Sequence, residues 1–313
     1  MNKLRLNLFI GAALLISGAL CPTAQAQNRV FVSGVGDDLN PCTRTSPCRN
    51  FQRGHDAVVA GGEVVALDSA GFGSIAITKS VTITGDGVYA GITAQTALSS
   101  AITVSAANTD TVVLRGLTLV GLGGQTGINA TSVGSLHIEE CVISGFTGTG
   151  INVNLAANGS RILIKDTIIR NNDSGIVITT TTGTVRASID NCHSDRNGSD
   201  GFVADFNSRV TISRSGASGN GGYGFVAGSV VSGTTAEMSC QECVSSDNSI
   251  GFNVSADPGS SATMRVSRST ATNNFGNGFR QLSGGVFKSL GNNLVDGNTT
   301  GSSSGTITAL TAL

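Results

Sequence analysis

Apolar and polar residues alternate along this chain in short bursts. The stretches "SRVTISRS", "GSLHIEECVIS" and "SRILIKDTII" place apolar side chains at every second position, the pattern of half-buried strands. Between the bursts, Gly followed by Ile or Phe returns at 127, 150, 175, 201, 224, 251 and 278, with spacings of 23, 25, 26, 23, 27 and 27 residues. A period near 25 predicts a solenoid, and the units are too short and too rich in Gly, Thr and Val for paired helices. Each unit therefore reads as one turn of a β-coil with about three short strands, about nine coils in all.

Laying the units over one another predicts which residues share a column. One inward column is Ile83, Leu114, Ile138, Ile164, Ile189, Ile212, Cys240, Val266 and Phe287. Three residues on, a second runs Asp86, Leu117, Cys141, Thr167, Cys192, Ser215, Cys243, Ser269 and Leu290. A third is Ile128, Ile151, Ile176, Phe202, Phe225, Phe252 and Phe279, with the preceding Gly expected to supply a tight bend. Asn172, Asn197, Asn220, Asn248 and Asn274 fall at a turn, where stacked amides can hydrogen-bond coil to coil. Like stacks on like because parallel strands lie about 4.8 Å apart in register.

The two ends break the pattern. Val30–Ser33 reads as a strand, followed by a turn-rich loop. Ser46-Pro47 has the signature of a helix start, with Phe51, His55, Val58 and Val59 on one face and Gly61-Gly62 as the stop. Strands are then expected at Glu63–Leu67 and Ser74–Thr84. A helix at this end would cover an open sheet edge, which otherwise invites aggregation. The implied division is a targeting segment over 1–26 and an N-terminal strand, disulfide loop and capping helix over 27–62. A β-helix over 63–298 and a C-terminal cap or tail over 299–313 complete it.

Composition narrows the function classes. Lys3 and Arg5, the apolar run Leu8–Leu20 and Ala24-Gln25-Ala26 form a secretory signal, which predicts export and cleavage near Ala26. No long apolar run predicts a membrane span. Net charge is −1 with only 12% charged residues, and no basic stripe shows in the sequence, so nucleic acid is not an expected partner. Cys42 and Cys48 flank a short loop and are expected to bond in an oxidising compartment. Cys141, Cys192 and Cys243 share a column two coils apart, beyond disulfide reach. Cys240 and Cys243 form a CxxC without a second pair or a His pair, so both read as buried fillers and no metal site is expected.

The N-terminal "FVSGVGDDLNPCTRTSPCRNFQ", the "ITKSVTITGDG" step and the "GI/GF…I-x-x-[C/T/S]…N" coils carry a specific resemblance. The chain resembles secreted bacterial right-handed parallel β-helix repeat proteins of the pectin/pectate lyase-like superfamily. The resemblance covers nearly the whole chain after the targeting segment. It implies an all-β, right-handed parallel β-helix with a short N-terminal capping helix, and right-handedness also follows from the general chirality of such connections. It leaves the activity open, because the superfamily includes lyases, hydrolases, epimerases, adhesins and non-enzymes.

Catalysis in such a family implies clustered carboxylates. Lyases set them around Ca²⁺ with an Arg or Lys base, and hydrolases use two or three Asp. The densest polar region is "DNCHSDRNGSDGFVAD". There the candidates are Asp195 or Asp200 as acid or ligand, His193 as base and Arg170, one coil earlier, to neutralise a substrate carboxylate. The plainer reading is an Arg170–Asp195 surface pair with turn-forming Asp. An outward column from Arg115 through Glu139 and Lys165 to Asp190 and on to Lys288 alternates in sign at first, and reads as salt-bridge ladders on a solvated face. Glu140 over Asp166 is the one like-charged stack. A further outward strip, Val142, Ile168, His193, Gly216, Val244 and Thr270, is mildly apolar; Ile168, His193 and Val244 make it a candidate binding face for an extended glycan or a protein. His55 and His137 show no partner in the sequence.

The expectation is a secreted β-helix protein that binds polysaccharide or a partner surface along its outer face without catalysis and requires no cofactor. The alternatives are a polysaccharide lyase or glycoside hydrolase acting on an acidic glycan, for which alone Ca²⁺ would be needed, and a structural envelope or matrix component.

Overall fold

A computed structural model describes residues 27–311 except Ala157, Thr181 and Ser283; the expected signal segment lies outside the described residues. The chain is an all-β parallel solenoid with one short helix among them. Three sheets run its length. The first has 12 strands, from Gln27–Val32 to Ile307–Ala309. The second has 10, from Ala70–Gly71 to Leu294–Asp296, and the third 10, from Ile75–Ile77 to Gly301–Ser304.

The columns run where the periodicity places them. Ile138 pairs with Leu114 and Ile164, and the column continues in register to Cys240 and Val266. In the third sheet Phe202, Phe225, Phe252 and Phe279 are neighbours, and the rings of Phe202, Phe225 and Phe252 lie nearly parallel at 4.9 and 4.7 Å. Offset stacking adds to the area these rings bury. The asparagine ladder is continuous: each side-chain amide donates to the next Oδ1 at 3.3, 3.0, 2.9 and 3.2 Å from Asn172 to Asn274, and Asn298 adds a rung at 2.8 Å. These buried amides also accept backbone N–H groups, so the turn carries no orphaned donors there.

Two corners turn most coils without glycine. Glu140, Asp166, Asn191, Arg214, Glu242 and Arg268, between the first and second sheets, all have φ between 47° and 57°. Asn171, Arg196, Asp247 and Asn273 do the same just before the asparagine column, where other coils use Gly145, Gly219 and Gly297. The left-handed conformation makes each corner sharp.

Several sequence expectations are corrected. The glycines before Ile and Phe are not bends, since none has positive φ. They permit close approach instead: a Cβ on Gly224 would meet Ser245 Oγ at 2.3 Å and Gly251 O at 2.8 Å. The helix is only Phe51–Ala57. Ser46-Pro47 stays in the disulfide loop, where Pro47 O accepts from Asp37 N–H and Asn40 Nδ2. Val58, Val59 and the two glycines belong to the strand Val58–Ala66, paired with both neighbours. The expected strand Ser74–Thr84 is two strands, Ile75–Ile77 and Val81–Thr84, in different sheets. Asp86 faces out beside Arg115, and Ala90 takes its core place next to Leu117. In the last coil Phe287 stands beside Met264, where its ring meets Phe279 at 4.8 Å. Ser289 thus takes the place expected for Phe287, and the place expected for Leu290 goes to Asn293, whose Oδ1 accepts from Ser269 N–H. Lys288 moves with this shift to stand beside Arg265.

The N-terminal end is closed by covalent and polar contacts. Cys42 and Cys48 form a disulfide, worth about 2 kcal/mol for so short a loop in the chain-entropy model. Its loop hydrogen-bonds the outer strand through Phe31 N–H to Cys42 O and Ser33 N–H to Cys48 O. The free cysteines Cys141, Cys192, Cys240 and Cys243 are buried in the core.

Candidate functional site

The second sheet places most of the candidate residues. From Val142–Ser144 onward its strands are three residues long, so each coil shows two outward positions. The first outward column runs Thr118, Val142, Ile168, His193, Gly216, Val244, Thr270 and Leu294 in unbroken register. Ile168, Val244 and Leu294 are 40%, 45% and 61% exposed. The second column runs Val120, Ser144, Arg170, Asp195, Ser218, Ser246, Thr272 and Asp296. Ser218 and Ser246 hydroxyls lie 3.0 Å apart across coils.

Arg170 and Asp195 are register neighbours but make no ion pair, which corrects the expected surface pair. Asp195 turns its Oδ1 to Ser218 N–H at 3.0 Å instead. Burial raises the Asp195 carboxyl above the usual range, against that hydrogen bond and the neighbouring His193 and Arg196. Asp200 sits in the turn to the third sheet, off the strip, and holds Tyr223 N–H at 2.7 Å. Burial raises it too, with Asp173 adding repulsion. Asp205 lies on the far side of the third-sheet strand Phe202–Ala204 and accepts Phe206 N–H. The fold thus brings together Arg170, His193 and Asp195, and sets Asp200 and Asp205 apart from them. Asp195 and Asp200 each serve a backbone donor of the next coil, and Asp205 one of its own turn.

Calcium chemistry does not fit these residues. Among the described residues no three His, Cys, Asp or Glu side chains converge on one point. The Glu140–Asp166 stack is drawn into local contacts, Asp166 accepting from Asn191 Nδ2 at 2.6 Å and facing Lys165 Nζ at 3.4 Å. The expected coil-to-coil salt bridges form in part: Arg268 meets Glu242 of the preceding coil at 2.9 Å, whereas the column from Arg115 to Asp190 makes none within itself. Ion pairs reach from strand positions to the left-handed corners, as in Arg214–Asp190 and Lys165–Asp166, and Arg115 reaches the turn residue Asp86. No pair among the described residues joins Arg115 to Glu139 or Glu139 to Lys165. The corner side chains project outward beside the strand ends and reach the charges first.

Two histidines gain partners. His55 is buried, with Nδ1 3.2 Å from Asp56 Oδ1 and Nε2 accepting Thr78 N–H at 3.3 Å. His137 Nε2 lies 3.1 Å from Ser135 Oγ. One charged feature is absent from the expectations: Arg161, Arg186 and Arg209 stack in register on the first sheet. Their signal was the shared position at the start of "RILI", "RASI" and "RVTI", which low overall charge hid.

Residues 76–228 and 126–300 match the family model described as the right handed beta helix region. The chain belongs to that family. Among solved structures it is similar to a rhamnogalacturonan lyase at 14% identity and TM-score 0.53, over 83% of this chain and 72% of that one. It is also similar to the pectate lyase Pel9A at 15% identity and TM-score 0.54, over 92% and 79% of the two chains. At such identities the likeness is one of fold. No curated protein matches the chain. No helix among the described residues is long and apolar enough to cross a membrane.

Proposed function

We propose that this is an exported β-helix protein that binds an extended polysaccharide along the outer face of its second sheet without cleaving it. The observation that carries the reading is the in-register strip from Val142 to Leu294, flanked at each coil by a mostly polar column. A flat surface that repeats every coil suits a ligand that also repeats, with apolar side chains for sugar faces and hydroxyls for sugar hydroxyls. The disulfide in the N-terminal loop supports export. A catalytic reading draws on the raised carboxyls of Asp195 and Asp200, since such shifts gather at active sites. Their separate placement and backbone partners favour the structural role.

Electrophoresis through native gels cast with neutral and acidic polysaccharides, with and without Ca²⁺, tests the proposal. Retarded migration without clearing is expected, and it should vanish in Ile168→Asp/Val244→Asp. Clearing of any substrate, abolished by Asp195→Asn or Asp200→Asn, would replace binding with lyase or hydrolase activity. No retardation with any glycan would leave the structural envelope role or a protein partner.

A further inference from the structure

Two of the four free cysteines face one another across a single corner. Cys240 lies in the strand Thr235–Gln241, in register with Ile212 and Val266 on the inward side. Cys243 follows three residues on, past Glu242, whose φ of 57° places the bend between them. A left-handed residue makes that bend sharp. Both side chains are buried on its inner side, where they hydrogen-bond to one another.

No other coil carries such a pair. The coils on either side hold Ile212 with Ser215 and Val266 with Ser269, and the earlier cysteines Cys141 and Cys192 follow Ile138 and Ile189. In this column each side chain turns back to the carbonyl two residues before it. The hydroxyls of Thr167, Ser215 and Ser269 donate there at 2.8 Å. The thiols of Cys141, Cys192 and Cys243 do so at 3.2, 3.3 and 3.5 Å. The longest contact belongs to Cys243, the one with a second sulfur across the bend. Burial pushes the Cys141 and Cys192 thiols up to about 12, whereas the contact with Cys240 holds Cys243 below its ordinary value. Cys192 stands two coils from Cys243 in the same column, roughly 10 Å at the spacing of parallel strands and beyond disulfide span.

We propose that Cys240 and Cys243 form a disulfide across this corner when the chain folds in an oxidising compartment, joining the first and second sheets covalently within one coil. The compartment rests on the export proposed above, and the Cys42–Cys48 bond belongs to the same conditions. The Cys243 thiolate attacks one sulfur of an incoming disulfide, that of glutathione disulfide or of a dithiol oxidase, and displaces one thiol. Cys240, once deprotonated, attacks the Cys243 sulfur and displaces the second. Two S–H bonds are lost and one S–S bond forms, and the oxidant leaves as two thiols carrying both electrons and both protons. The exchange belongs to the folding chain, before the stacked coils close over the corner. Afterwards both sulfurs are buried, which shields the bond from reductants.

Refolding of the purified full chain from urea in a mixture of glutathione and glutathione disulfide tests the bond. The sample is quenched in acid, alkylated in denaturant without reduction and mapped by mass spectrometry. Glutathione disulfide supplies the oxidant, so the outcome does not depend on export. Arg214 and Arg265 bracket a stretch without Lys or Arg, so trypsin leaves both cysteines in one peptide. The expected result is that peptide unalkylated and lighter by two hydrogens, with Cys141 and Cys192 alkylated. Raising the share of reduced glutathione should return Cys240 and Cys243 to alkylation together and in equal proportion. Cys240→Val and Cys243→Ser place at each position the residue of the next coil, which favours folding, and each should leave the remaining cysteine without an intrachain bond. Alkylation of both Cys240 and Cys243 in the wild-type chain would overturn the bond. So would pairing of either with Cys141 or Cys192. Failure of the glycan gels would leave it standing, because no sugar enters this measurement.

Discussion

At the scale of single residues, the structure depends on buried polar groups that must stay in one protonation or hydrogen-bonding state. His55 packs under the N-terminal cap with Nε2 accepting Thr78 N–H. Burial lowers its pKa from 6.5, outweighing the bond to Asp56, and Lys79 lowers it further. The folded protein therefore holds a neutral ring that the unfolded chain would protonate. The stabilisation is complete above 6.5 and is lost as pH falls from there towards the lower folded value. The protection factor of the Thr78 amide should fall over that range, and this pH dependence should disappear in His55→Gln. A protection factor that ignores pH in the wild-type protein would show that this ring does not govern the cap. Asn220 is the second case. It donates to Asn248 Oδ1 and Ser194 O, both at 2.9 Å, while its Oδ1 accepts the backbone and side-chain N–H groups of Asn197 at 3.0 Å. Asn220→Ala leaves several buried groups unpaired, each costing about 1–3 kcal/mol. A loss of about 3 kcal/mol or more is expected in urea unfolding, and a loss within experimental error would mean that water replaces the ladder.

At the scale of elements, strands two to nine residues long gain their stability from stacking rather than length. The Phe202–Phe225–Phe252 stack illustrates this, with all three rings essentially buried. Phe225→Ala should cost about 3–5 kcal/mol, including the cavity it leaves. Because each coil touches only its neighbours, the lesion should also uncouple the two halves of the rod. A denaturation curve that splits into two transitions, monitored by amide exchange on either side of residue 225, is the expected signature. A single transition with unchanged midpoint would contradict it. The left-handed corners belong to this scale as well. They fix where each strand ends, and they project charged side chains that capture the ion pairs of the adjacent strands.

At the scale of the molecule, parallel register turns one-dimensional sequence repeats into surface columns running along the axis. A substitution in one coil therefore alters one rung of a long strip, and ligand affinity should respond to the number of rungs changed. The second-sheet strip and the first-sheet arginine ladder are two such surfaces with different chemistry. The glycan gels read the first of them: retention should be lost in Ile168→Asp/Val244→Asp and spared in Arg161→Gln/Arg186→Gln.

The 25-residue rhythm was enough to determine the solenoid, its inward columns, the phenylalanine and asparagine stacks and the Cys42–Cys48 bridge. Each of these follows from periodicity or short spacing, which are properties of the chain itself. The face on which Ile168, His193 and Val244 stand was legible for the same reason. Side-chain direction at corners and ends was not. Glu140 and its column adopt a left-handed backbone without glycine, and Phe287 slips two residues to reach Phe279. Whether Arg170 meets Asp195, and which arginines remain without a carboxylate, depends on distances between side chains from different coils. Only the three-dimensional packing sets those distances, because competing partners such as Ser218 N–H and the corner residues become neighbours only after the coils have stacked.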